Sequence, residues 1–253
     1  MIAGHKYLWL ALAGLLLVSG IATGANLRSQ ITTAEVTIYI DHTTLVSISA
    51  AKDPNTSYSM EKLNELLALS GLEYQIEYLP WTRALREVET NPRSFIYQIL
   101  RTPERENNYY WLMPASVAER IALYSSNGLA TDDVMLDIKA GEFSAACYLE
   151  SAQCTMLEQI GFPKDNIVVI PSQSLTAEEK LLLQARVDFI LAFPSVIQHN
   201  LTVLGEDASK VTKHISFDMP PDYLAASKQV DPNLLEAMRN AVKRLAESDP
   251  NTP

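Results

Sequence analysis

Apolar positions along the chain switch between two periods. A β-branched run at 36–40 reads as a strand, and the polar stretch 41–57 after it reads as a long loop. Met60, Leu63, Leu66, Leu67 and Leu69 then recur near helical spacing, with Gly71 as the stop before a second strand at 74–79. Pro80-Trp81 opens another helix, with Trp81, Leu85 and Val88 on one face and Asn91-Pro92 at its end. A third strand occupies 95–100.

After a strand at 120–124, a second series runs helix 132–139, strand 143–149, helix 151–160, strand 167–170, helix 176–184 and strand 187–191. A strand near 223–226 precedes a last helix that opens at Asp231-Pro232, with Leu235, Met238, Val242 and Leu245 as its apolar stripe. This β-α-β alternation predicts mainly parallel sheets with helices on both faces. Two α/β lobes fit the two series better than one continuous sheet.

Ligands in such sheets bind beyond the carboxyl ends of the strands. In the first half those ends are Asp41-His42, Pro80-Trp81 and the segment Arg101 to Arg105. Arg101 and Arg105 flank Thr102-Pro103, a spacing from which a loop can aim two guanidinium groups at one anion. The plainer reading is a solvated loop in which Arg105 pairs with Glu104 or Glu106, worth about 0–1 kcal/mol.

At 253 residues the chain is long enough for one large or two medium domains. Its 20 basic residues stand against 30 acidic ones, a net charge of -10 with no basic run, which argues against nucleic acid as a partner. His5 and Lys6, an apolar run at 7–18 and small residues at 19–25 read as an export signal over residues 1–24, with cleavage after Gly24 or Ala25; an uncleaved anchor extending to Ala25 is the alternative. No cysteine follows those small residues, so a lipid anchor is not expected. The compartment implied is the periplasm.

Cys147 and Cys154 are the only cysteines, a disulfide candidate in an exported protein. A strand position for one and a helix position for the other put their expected Cα separation beyond the ~7 Å that a bridge spans. The four histidines are scattered and no paired His or Cys spacing occurs, so no metal or other cofactor is expected. No nucleophile-elbow, phosphate-loop or dinucleotide motif is present, and no catalytic residue is assigned.

The ordered segments TSYSMEKLNELLALSGLEYQIEYLPWTRAL, FIYQILRTPEREN, ESAQCTMLEQIGF and ARVDFILAFPSVIQHNL resemble extracellular solute-binding proteins of family 3, the polar amino acid type that feeds ABC importers. The resemblance covers most of the chain from Glu35 onward. It implies a two-lobed, Venus-flytrap periplasmic-binding-protein fold with two hinge crossings, near 124–126 and 220–223. Residues 25–124 and 222–253 would form one lobe, with 125–221 inserted as the other.

The resemblance further implies that Arg105 holds a ligand carboxylate while the helix start at Ser151 and Gln153 supplies N–H donors. Arg101, Asp41 and Gln98 are the remaining polar candidates, and Tyr58 or Trp81 the aromatic wall. Trp81 reads equally well as core.

The chain departs from the family pattern in three places. Leu191-Ala192-Phe193-Pro194 stands where an acid usually receives a ligand ammonium, and Glu150 sits beside the anion-binding helix start. Asn55-Thr56-Ser57-Tyr58 replaces a glycine-rich segment. The expected partners are a small polar solute and a membrane permease or receptor, with the protein itself a monomer. A dehydratase-like enzyme on the same fold is the further alternative.

Overall fold

The computed structural model describes residues 36–42, 54–116, 120–172 and 174–248, with 54–58 as backbone only. The expected leader and most of the expected loop at 41–57 lie outside the described residues.

Strand β1 (Val36–Asp41) is buried at every position but the last, as expected of a strand covered on both faces. It pairs in parallel with β2 (Tyr74–Leu79) on one side and β3 (Ser94–Leu100) on the other. Strands β4 (Tyr109–Pro114) and β10 (Asp222–Ser227) complete a five-stranded sheet in the order β2-β1-β3-β10-β4, with β10 antiparallel to both neighbours.

Helices α1 (Pro54–Ser70) and α7 (Pro232–Ser248) cover one face of this sheet. Leu63, Leu66 and Leu67 of α1 share a core with Leu235, Met238 and Leu245 of α7 and with Ile38, Phe95 and Tyr97 of the strands. The Asp231 carboxylate caps α7, accepting from the Asn233 N–H at 2.8 Å. Helix α2 (Trp81–Thr90) covers the other face, burying Trp81, Ala84, Leu85 and Val88 against Tyr39, Ile96 and Ile99.

The second sheet has the order β7-β6-β8-β5-β9. Strands β6 (Ala145–Tyr148), β7 (Ile167–Ile170) and β8 (Phe189–Ala192) are parallel, while β5 (Arg120–Ser126) and β9 (Val211–Asp218) join antiparallel. Helices α3 (Val134–Ala140) and α4 (Ala152–Ile160) pack Ile138, Leu157 and Ile160 on one face. Helices α5 (Ala177–Leu183) and α6 (Pro194–Val203) pack Leu182, Ile197 and Leu201 on the other.

The two sheets share one plan: three parallel strands extended by two antiparallel ones. Each crossing leaves the edge strand of one sheet and enters an inner strand of the other, β4 to β5 and β9 to β10. The first crossing therefore lies between Pro114 and Arg120. The expected crossing at 124–126 falls inside β5, within the second sheet. The displacement traces to β4, whose Tyr109-Tyr110-Trp111 run reads by sequence as the tail of a polar loop.

The second crossing lies between Asp218 and Asp222. Leu100 at the end of β3 and Met219 in this crossing both belong to the core of the second lobe, so the seam between the sheets is apolar at its base.

Candidate functional site

The end of β3 and the start of α4 meet across the junction of the two sheets. After Leu100 the chain turns tightly, with the Arg105 N–H donating to the Thr102 carbonyl at 3.1 Å and the Asn108 N–H to the Arg105 carbonyl at 2.9 Å. The turn aims the Arg105 side chain back across the strand end. Its Nη1 donates to the Leu100 carbonyl at 3.1 Å and its Nη2 to the Glu150 carbonyl, in the other lobe, at 2.7 Å.

Trp81 lies beneath, its ring 5.2 Å from the Arg105 guanidinium carbon. The indole Nε1–H donates to the same Glu150 carbonyl at 2.9 Å. One backbone oxygen of the second lobe thus receives two donors from the first.

Glu150 presents that oxygen from an unusual backbone conformation, with φ 60°, in the left-handed region that side chains other than glycine seldom adopt. A turn closes across it, the Ser151 N–H donating to the Tyr148 carbonyl at 3.0 Å. A disulfide between Cys147 and Cys154 brackets the same turn, with Cα atoms 5.3 Å apart. The expected separation beyond the bridging limit is corrected here. The left-handed residue folds the chain back before α4 begins at Ala152, so strand end and first helical turn come close.

The electrostatics of Arg105 derive from its surroundings. Burial pulls its pKa down, and the guanidinium bonds it makes go to carbonyl oxygens rather than to a carboxylate. Nearby Tyr109, itself held neutral by burial and by Glu89, donates its hydroxyl to the Glu89 carboxylate at 3.1 Å. A partly desolvated cation with carbonyl and π partners is suited to accept an anion.

A cavity of about 470 Å³ opens beside this arginine. It is lined by Thr82, Arg83, Arg86 and Glu89 of α2, by Arg105 and Asn108 of the turn, and by Leu149 and Glu150 of the second lobe, with Leu85 and Tyr109 completing the wall.

Of the residues singled out by sequence, Arg105 lines this cavity and Trp81 stacks on it. Arg101 does not join them. It grips Glu106 through Nε at 2.7 Å and Nη2 at 2.5 Å, and lies over the rings of Trp111 and Tyr223 at 5.6 and 5.7 Å. The loop ion pair expected for Arg105 is not the one observed: Arg101 pairs with Glu106, and Arg105 bonds to carbonyl oxygens instead.

Gln98 turns into the first lobe, donating to the Ser59 hydroxyl at 3.1 Å from a backbone with φ 61° at an irregularity between β3 and β10. Asp41 ends β1 with its carboxylate 3.5 Å from His42 Nδ1. Gln153 donates to the Leu191 carbonyl at 2.8 Å and ties α4 to β8. Ser151 is the N-cap of α4 but makes no side-chain capping bond. Tyr58 lies in α1, and its side chain is outside the described residues.

Arg83, Arg86, Thr82 and Asn108 are the site residues that sequence reading missed. The available signal was the helical face opposite Trp81, Leu85 and Val88, which carries both arginines. Among the described residues no three His, Cys, Asp or Glu side chains gather closely enough to hold a metal ion, and no helix is long and apolar enough to cross a membrane.

No family model matches this sequence, and no curated protein matches it. Solved structures do. An ancestral arginine-binding protein bound to arginine superposes with a TM-score of 0.64 at 15% identity, over 87% of this chain and 95% of that one. A histidine kinase sensor domain with similarity to periplasmic binding proteins gives 0.64 at 12% identity, over 84% and 90%. The arginine-, lysine-, histidine-binding protein ArtJ from Geobacillus stearothermophilus gives 0.63 at 14% identity, over 85% and 90%. Two mixed α/β sheets, joined by two crossings and matched over most of both chains, give this protein the two-lobed fold of the periplasmic binding proteins.

Proposed function

We propose that this chain is an exported solute-binding protein that captures a small polar solute between its two lobes and delivers it to an ABC-type importer. The observation that carries the reading is Arg105. It stands beyond the carboxyl end of a central parallel strand, half-buried, without a carboxylate partner among the described residues, and bonded across the lobe junction to Glu150. Charge-assisted bonds of this kind contribute about 1.5–3 kcal/mol each, and micromolar capture needs about -8 kcal/mol in all. Three such contacts supply about 4.5–9 kcal/mol, and burial of the solute against the Trp81 ring adds to them.

The structural neighbours support capture of a small molecule, since several are amino acid-binding proteins and one serves glutathione import in Streptococcus mutans. In this reading the protein works as a monomer in the periplasm, without cofactor or catalytic step. The lobes are residues up to the first crossing together with those from Asp222 onward, and the segment between.

A sensory role is the second reading, favoured by the likeness to a histidine kinase sensor domain. Both roles use the same closure on ligand. A thermal-shift screen of the purified protein against amino acids, organic acids, polyamines and short peptides tests the common core of both. A saturable rise in melting temperature that disappears in Arg105→Ala supports capture at this site; a rise unchanged in Arg105→Ala removes it. Steady turnover of a candidate substrate would replace binding by an enzymatic role.

A further inference from the structure

The charge of the cavity beside Arg105 points to a class of ligand, provided that the protein captures a solute at this junction. In a protein of net charge -10, the lining brings three guanidinium groups, Arg83, Arg86 and Arg105, to one hollow. The carboxylates nearby are partly committed. Glu89 accepts the Tyr109 hydroxyl at 3.1 Å, and Glu87 lies 3.6 Å from Arg83 on the exposed helix face. Glu150 meets Arg105 through its backbone oxygen, and its carboxylate stands near enough to act on the Arg105 charge.

Arg86 has no ion pair or side-chain hydrogen bond among the described residues. Thr82 and Asn108 add neutral polar groups to the same wall.

We infer that the captured solute is a small dianion, one acidic group held by Arg105 at the lobe junction and a second by Arg86 with Arg83 on the outer face of α2. The two sites of positive charge come from different elements, the β3–β4 turn and α2, so a ligand with acidic groups at both ends is read at both. A cationic solute meets like charge at each position, an unfavourable juxtaposition that gives selectivity as well as affinity. The cavity volume is within the range that holds small ligands, roughly 300–1,000 Å³.

The test is a thermal-shift titration and then calorimetry on the purified protein. The probes are succinate, glutarate and adipate, each against a counterpart lacking one acidic group: butyrate, pentanoate and hexanoate. Arginine serves as the cationic control. At least one dianion is expected to bind tenfold or more tightly than its counterpart. Arg86→Gln should lower that preference tenfold or more, and Arg105→Gln should weaken the dianion and its counterpart together. Arg86 is exposed, so its replacement is expected to leave the unliganded melting temperature unchanged.

Binding of arginine in preference to every dianion would overturn the inference and leave solute capture standing. A dianion preference that survives Arg86→Gln would overturn it equally. Silence toward every probe, arginine included, would count against the inference and the capture reading together.

Discussion

The two lobes are built on one strand plan but treat their buried polar groups differently. In the first lobe, fully buried Ser59 and Tyr97 satisfy one another: the Ser59 hydroxyl donates to the Tyr97 oxygen at 3.1 Å, and the Tyr97 hydroxyl donates to the Ser59 carbonyl at 2.6 Å. In the second lobe, Glu178 and Glu179 are 4% and 2% exposed. Among the described residues, the buried side-chain atoms without a hydrogen-bond partner are Ser172 Oγ, Glu178 Oε1 and Glu179 Oε2, all in that lobe.

The difference extends to the backbone at the junction. The first lobe contributes two fixed donors on an apolar scaffold, Arg105 and Trp81, whereas the second contributes a carbonyl held in a left-handed turn by a disulfide. The second lobe carries the disulfide and the buried carboxylates Glu178 and Glu179, and its stability should respond to redox state and to pH.

The disulfide gives the largest expected effect. Replacing Cys147 and Cys154 by serine opens a short loop, with a sequence separation of 7, whose closure is worth about 2–3 kcal/mol. Melting should fall by roughly 4–12 °C, at about 2–4 °C per kcal/mol for a chain of this size. Reduction of the unmodified protein should give the same shift, and no shift would show that the bridge does not stabilise the second lobe.

Tyr97→Phe should come next, costing about 1–3 kcal/mol because it leaves buried Ser59 groups without their partner. Denaturant unfolding would measure it.

Glu178→Gln should have the opposite sign and stabilise the protein by about 1–2 kcal/mol at neutral pH. Burial, and secondarily Glu179, raises the Glu178 pKa well above 4.5. The folded protein therefore holds this proton more tightly than the unfolded chain does. The stability linked to it is present in full below about pH 4.5 and is lost as pH rises through the higher folded value. Glu178→Gln should flatten that decline in a plot of unfolding free energy against pH. A steeper decline would contradict the sign.

The smallest effect is expected at the surface. Arg120 and Asp218 pair at 3.0 Å with side chains 66% and 87% exposed, and Asp218→Asn should change stability by less than about 0.5 kcal/mol.

Much of this fold was legible in the hydrophobic pattern, because its parallel strands are buried on both faces and separated by amphipathic helices. Strands β2 and β7 fall where the pattern puts them, and α2 has the expected buried face of Trp81, Leu85 and Val88. The antiparallel strands were harder. β4 follows a polar turn directly, and β9 mixes polar with apolar residues, so neither has the continuous run that marks a central strand. Helix α6 was missed as well, its apolar residues merging with the end of β8.

The site was legible only in part. Arg105 and Trp81 were visible because they stand at strand ends, where a parallel sheet concentrates chemistry. The positive φ of Glu150 and Gln98 had no signal, since glycine or asparagine usually marks such positions. The closeness of Cys147 to Cys154 depends on that same hidden turn. Arg83 and Arg86 lie on the polar face of α2, and only the turn carrying Arg105, distant in sequence, makes that face one wall of a cavity.

The capture of a solute at the lobe junction is tested most directly by calorimetric titration of the wild-type protein and of Arg105→Gln with whichever solute raises the melting temperature most. A saturable one-to-one isotherm in the wild type, weakened tenfold or more in an Arg105→Gln protein that still unfolds cooperatively, is the expected result. Equal affinity in the two proteins would contradict the assignment of the junction as the binding site.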